Sequence, residues 1–159
     1  MISRGVASKG IGASSGSAVG DVVSTPERAL DVYLVEDNVH VLESLIAALE
    51  ELAPVHIVGT AADEGVAVDW LRSDGAPCDL VIVDIFLRTG SGLGVIAAAR
   101  RRRPGAALVV LSNYATDEMR SRCLAAGADR VFDKSHEIDL LIAFCIALAR
   151  RDHGGAAPH

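Results

Sequence analysis

Aromatic residues are scarce in this chain, at 4% of 159 residues, so any core must be built from aliphatic side chains. Cysteine is nearly as rare, and Cys78, Cys123 and Cys145 sit inside apolar stretches without metal-ligand spacing. An odd count without a pairing framework argues against a disulfide scaffold and fits a reducing compartment. Positive charge is not in excess: 15 Lys and Arg against 21 Asp and Glu leave a net charge of −6. A general nucleic-acid binder needs a basic face, so direct nucleic-acid binding is not expected. No apolar run reaches the length of a membrane span without interruption by charge, and the amino terminus lacks the apolar segment and cleavage site of a targeting peptide. The cytoplasm is the expected location, with no membrane contact. What the chain does have is Ala, Val, Leu and Ile, and the 50% hydrophobic content suffices for a sizeable core in one domain.

Residues 1–28 are rich in Gly, Ser and Ala and are expected to form a disordered arm. Within them Gly10-Ile11-Gly12-Ala13-Ser14-Ser15-Gly16 superficially matches a dinucleotide-binding loop, but no strand precedes it, so the flexible-arm reading stands. From residue 29 to 151 the pattern is regular. Strand-like segments at Asp31–Val35, Val55–Thr60, Asp79–Asp84, Leu108–Ser112 and Arg130–Asp133 alternate with helical periods. The helices are expected at Val39–Leu52, Asp63–Arg72, Ser91–Arg103, Thr116–Ala126 and His136–Arg151, with Asp63 as an N-cap and Gly127 as a C-cap. The first carries Val39, Leu42, Leu45, Ile46, Leu49 and Leu52 at helical spacing. Residues 152–159 read as a disordered tail. Five strands alternating with five helices predict an α/β fold, a doubly wound parallel sheet with right-handed crossovers.

In such a sheet ligands sit outside the carboxyl ends of the strands. Three of the predicted strands deliver chemistry there: Glu36-Asp37 after the first, Asp84 ending the third, and Ser112 ending the fourth, with Lys134 following the fifth. Carboxylates that close repel one another unless a cation lies between them, and hard oxygen ligands with room left for water suit Mg²⁺. Each residue alone has an ordinary reading. Asp37 alone would cap the helix at Val39, Lys134 would be a solvated loop residue, and Ser112 a strand terminus. Their occurrence together, in order and at the right strand ends, reverses those readings.

With those residues in place, the stretch from about 30 to 151 resembles a response-regulator receiver domain of the CheY-like, stand-alone type, which is a flavodoxin-like fold. The resemblance implies a single-domain response regulator that accepts a phosphoryl group on Asp84 from a histidine-kinase phosphohistidine. It implies Glu36, Asp37, Asp84 and the backbone carbonyl of Phe86 as ligands to Mg²⁺, Lys134 as the compact positive charge, and Ser112 as a donor to a phosphoryl oxygen. The amide of Asn113 is a further expected donor, Leu87 packs beneath the loop, and Gly92 matches the glycine that opens the third helix. The implied partners are a sensor histidine kinase or phosphotransfer protein and a downstream protein of unknown identity. The chemistry is confined to self-phosphorylation and dephosphorylation, so a signalling domain rather than a metabolic enzyme is expected.

The chain departs from that pattern at three places. Ser135 stands where many receivers have a proline after the Lys, and is a candidate cap for the last helix. Val131 occupies the usual position of a switch aromatic, with Phe132 on the opposite face of the strand. Arg88 replaces a common loop proline. Phe86 and Tyr114, which flank the phosphoryl site, are large and weakly polar and are expected to lengthen the phosphoryl lifetime. In the last helix Ile138, Leu141, Ile142, Cys145, Leu148 and Ala149 form a core stripe, and Leu140 and Phe144 fall on the other side. That pair is either an ordinary exposed apolar pair or a docking or homodimer face. The run Arg100-Arg101-Arg102-Arg103 is expected to be a solvated helix end, and His40, His56 and His136 are expected at the surface. Two rival functions are an α/β phosphohydrolase or phosphotransferase and an inert scaffold. The first needs a second Asp two residues after the nucleophile, where this chain has Phe86.

Overall fold

A computed structural model describes residues 28–154. Its elements are β1 (Leu30–Val35), α1 (Val39–Leu52), β2 (Val55–Ala61), α2 (Glu64–Arg72), β3 (Leu80–Asp84), α3 (Gly92–Arg102), β4 (Ala107–Ser112), α4 (Asp117–Ala126), β5 (Arg130–Asp133) and α5 (Ile138–Gly154). The strands form one sheet in the order β2-β1-β3-β4-β5, and every pairing is parallel. The expected doubly wound architecture is therefore the observed one. The expected arm lies outside the described residues except for Arg28, as do residues 155–159. α5 continues three residues beyond the expected stop at Arg151, to Gly154.

The sheet is covered on both faces, which is why β3 is buried at every position. Alternate strand residues feed two separate cores. Tyr33, Val35, Val81, Val83, Leu108, Val110 and Val131 face one side, with α2, α3 and α4 residues such as Leu71, Ile96 and Cys123. Val32, Leu34, Leu80, Ile82, Val109, Leu111 and Phe132 face the other, with Leu45 and Leu49 of α1 and Leu141 and Cys145 of α5. Val131 and Phe132 thus point to opposite faces, as their adjacency in a strand requires. Burying each such Val, Leu or Ile contributes roughly 1.5–3 kcal/mol. In α1 only the middle of the expected stripe is buried; Val39 and Leu52, at its two ends, are exposed.

Caps set most helix ends. Asp63 accepts from Val66 N, Ser91 from Leu93 N and Thr116 from Met119 N. Gly127, at φ 122°, closes α4 in the left-handed region that disfavours other residues. Two cap expectations are corrected. The cap of α1 is Asn38, whose side chain accepts from His40 N and Val41 N, so Asp37 does not serve there. Ser135 does not cap α5; its hydroxyl donates to Asn113 Oδ1 at 3.2 Å. The arginine run is only half solvated. Arg101 and Arg102 are exposed, while Arg103 donates to the carbonyls of Leu71, Ala76 and Ser73 and stacks over Trp70 at 5.0 Å. Arg100 donates to Gly127 O and pairs with Asp129 at 3.4 Å. All three cysteines are free, and the three histidines that were expected at the surface are exposed there. No helix among the described residues is long and apolar enough to cross a membrane.

Candidate functional site

Parallel pairing carries the ends of β1, β3, β4 and β5 to one edge. In register, Val35 lies beside Val83, Asp84 beside Leu111, and Ser112 beside Asp133. The residues just past these ends therefore converge. Lys134 Nζ lies 2.7 Å from Glu36 Oε1 and 3.3 Å from Asp84 Oδ2. Ligand oxygens of Glu36, Asp37 and Asp84 all lie within 4.8 Å of one another. Glu36, Asp84 and Ser112 are buried, at 3%, 7% and 0% exposure. Lys134 is one of two lysines in the chain, and among the described residues it sits at the one place where three carboxylates meet.

Backbone amides hold the carboxylates. Asn38 N donates to Glu36 Oε2 at 3.1 Å, Phe86 N to Asp84 Oδ1 at 3.2 Å, and Arg88 N to Asp37 Oδ2 at 2.7 Å. Asp37, freed from capping α1, is thus tied to the loop after Asp84. Ser112 Oγ accepts from Tyr114 N at 3.0 Å, which leaves its proton available to another acceptor. Gly92 opens α3 against this loop, and a Cβ there would lie 2.4 Å from Asp84 O and 2.7 Å from Ile85 Cα. Leu87 is buried beneath the loop as expected. Phe86 and Tyr114 are 50% and 68% exposed, and their rings meet edge to face with centroids 5.6 Å apart.

The charges are out of balance. Burial pushes the Asp84 carboxyl above the usual carboxylate range; Lys134 pulls it back, and Glu36 raises it further. Lys134 shows the converse: burial alone would lower it, but its bonds to Glu36 and Asp84 outweigh that and raise it. Three carboxylates face one lysine, and Arg88, with its side chain 80% exposed and 3.8 Å from Asp37, adds a screened charge. Hard oxygen donors with about two uncompensated negative charges fit a small divalent cation. Glu36, Asp37 and Asp84 are the side chains that would hold it.

Not every expected site residue joins this cluster. Leu140 is 49% exposed on α5, but Phe144 is half-buried, with its ring 6.1 Å from Phe132 and Arg130 lying over it at 5.4 Å. The expected outward pair is therefore a single exposed leucine. The structure also reveals residues that sequence reasoning did not single out. Glu64 Oε1 accepts from Ser91 N at 2.8 Å and clasps the β3–α3 loop, while Arg120 and Glu137 brace the other side. Their spacings of 27 and 17 residues give no local signal.

Comparison with known proteins agrees with this geometry. Residues 32–145 match the family described as the response regulator receiver domain. The photosynthetic apparatus regulatory protein RegA of Cereibacter sphaeroides is 34% identical over 83 residues, covering 52% of this chain and 43% of that protein. The chain spans about half the length of the curated relatives it matches. Among solved structures, the signal receiver domain of NarL from Mycobacterium tuberculosis superposes with a TM-score of 0.68 at 20% identity, over 77% of this chain and 98% of that one. A Burkholderia pseudomallei response regulator carrying a phosphorylated aspartate, a calcium ion and citrate gives 0.64 at 21% identity, over 79% of this chain and 72% of that one. The strand-end cluster and the match across most of the chain place it in one family: it belongs to the response regulator receiver domains of two-component systems.

Proposed function

We propose that this domain accepts a phosphoryl group on Asp84 from the phosphohistidine of a sensor kinase or phosphotransfer protein, and signals through altered binding of a downstream protein. The observation that carries the reading is Lys134 Nζ held between Glu36 and Asp84 in a buried acidic cleft. A carboxylate oxygen of Asp84 attacks phosphorus, the phosphorus–nitrogen bond of phosphohistidine breaks, and the released imidazole nitrogen keeps the bonding pair. Phosphoryl transfer demands mainly positioning and charge neutralisation. Lys134 shifts from the carboxylate to the incoming phosphoryl oxygens, and Ser112 donates its free proton to one of them. Members of this family bind Mg²⁺ at an acidic pocket; when bound by Glu36, Asp37, Asp84 and the Phe86 carbonyl, it would neutralise carboxylate and phosphoryl oxygens together. The domain acts on itself and is not a metabolic enzyme. A cytoplasmic location follows from that partner, and α4 with the Leu140 side of α5 is the proposed docking face.

Phe86 and Tyr114, whose rings meet edge to face two residues beyond Asp84 and Ser112, support slow hydrolysis of the aspartyl phosphate, because two large apolar rings there would hinder in-line water. The test is incubation with acetyl phosphate and Mg²⁺, read by intact mass. Wild type is expected to gain one phosphoryl group and Asp84→Asn none. Phe86→Asn and Tyr114→Glu are expected to shorten the lifetime. Absence of added mass on wild type, together with no binding of beryllofluoride, would leave an inert scaffold as the better reading.

A further inference from the structure

Arg120, on α4, directs each of its three guanidinium nitrogens at a different segment. Nε donates to Ala115 O at 3.1 Å in the β4–α4 loop, Nη1 to Val131 O at 2.7 Å in β5, and Nη2 to Glu137 Oε1 at 3.2 Å before α5. The same Glu137 oxygen accepts Asp133 N at 2.8 Å. Asp133 precedes Lys134, whose own amide donates to Ser112 O at 3.0 Å. On the other branch, Ala115 follows Tyr114, whose amide donates to Ser112 Oγ at 3.0 Å. Both branches leave one guanidinium and end on the two oxygens of Ser112. The planar fork of arginine supplies the directions this needs, and a lysine ammonium would not. Arg120 and Glu137 are about one-third exposed, so their charge attraction alone contributes little; the geometry is what they supply.

We propose that Arg120 is a positioning residue for phosphoryl transfer: with Glu137 as its relay, it holds Lys134 and the loop after Ser112 in register with Asp84. This rests on Asp84 being the phosphoacceptor. Val131 packs its small side chain into the same core as Cys123 of α4, and its carbonyl, held by Arg120, adds a directed bond between β5 and α4.

The test uses Arg120→Ala, Glu137→Ala and Glu137→Gln in the full chain. Phosphoryl uptake from acetyl phosphate is measured at saturating Mg²⁺, alongside Mg²⁺ affinity, melting temperature and amide exchange before phosphorylation. Loss of register is expected to slow uptake by roughly tenfold or more in both alanine variants. Mg²⁺ affinity should stay at the wild-type value, because no ligand has been touched. Glutamine keeps the acceptor for Asp133 N and Arg120, so Glu137→Gln should retain most of the rate. Exchange at the amides of Tyr114, Asp133 and Lys134 should quicken by roughly tenfold in the alanine variants, with β3 amides unchanged. A lower melting temperature with wild-type uptake per folded molecule would overturn the proposal. If wild type takes up no phosphoryl group, the proposed function fails. The exchange data then decide the positioning role alone, and unchanged protection would refute it.

Discussion

Replacing Asp84 by asparagine tests whether the cleft is electrostatically strained at rest. Its carboxylate lies within 4.8 Å of both Glu36 and Asp37 and 3.3 Å from Lys134 Nζ. At an effective dielectric of about 20, each repulsion costs roughly 3 kcal/mol and the attraction offsets roughly 5. These charges nearly cancel, and the Phe86 amide and the Lys134 hydrogen bond favour the ionised form, so the desolvation of a carboxylate at 7% exposure is what opposes ionisation. The raised Asp84 carboxyl points the same way. A group whose folded pKa is raised contributes stability that is complete below its unfolded pKa and is lost as pH rises through the folded one. The neutral amide escapes that loss.

Asp84→Asn is therefore expected to be more stable than wild type at pH 7 in EDTA, by about 1–2 kcal/mol, or several degrees in melting temperature. The advantage should shrink as pH falls through the Asp84 titration, where wild type becomes neutral too. Mg²⁺ should reverse the order of response. At tenfold excess over its dissociation constant, a bound cation stabilises wild type by about 1.4 kcal/mol, and the variant, short of one ligand, by much less. Thermal unfolding at pH 4 and pH 7, with EDTA and with Mg²⁺, provides the four conditions. A variant less stable than wild type in EDTA at pH 7 would refute the reasoning, because the Lys134 pair would then outweigh the repulsion and the desolvation.

Two further outcomes follow from the packing. The hydroxyl of Tyr33 is buried without a hydrogen-bond partner, while its ring stacks on Trp70 with centroids 3.9 Å apart. Tyr33→Phe keeps the stack and removes the orphan, so it should stabilise by roughly 1 kcal/mol in urea unfolding; a destabilised variant would show that the hydroxyl has a partner. Gly92→Ala places a methyl against the backbone of Asp84 and Ile85, which cannot move aside as a side chain would. It should cost about 1–3 kcal/mol and slow phosphoryl uptake, and a wild-type uptake rate would show that the β3–α3 loop tolerates the shift.

The parts of this domain legible in the sequence are those set by local periodicity. β3 was readable because a strand buried on both faces must be continuously apolar, and the strand-end residues followed from parallel topology. Asp63 and Gly127 were readable because caps draw on neighbouring backbone. Phe144 was misread because helical spacing places it opposite the core stripe, yet its partners Phe132 and Arg130 arrive from β5. Arg100 and Arg103 were misread for a related reason. Their acceptors are mostly carbonyl oxygens on other elements, and every residue type offers the same carbonyl. Arg120 belongs to that class as well: two of its three acceptors are backbone atoms, and no pairing of side-chain types announces them.

Stability and chemistry pull against each other at this one sheet edge. Glu36 and Asp84 are held in a buried cleft with a single lysine, an arrangement that leaves the resting domain with charge it cannot fully neutralise. Two apolar cores on rigid parallel strands supply the stability that allows it, and the cluster stands at the strand ends because only there do backbone amides and side chains converge without breaking the sheet. On the proposed function, a bound cation or a bridging phosphoryl group would relieve that imbalance, and the relief is the free energy the site has to offer. A cleft whose charges were already balanced would gain little from either, and would have little free energy with which to bias a conformational equilibrium.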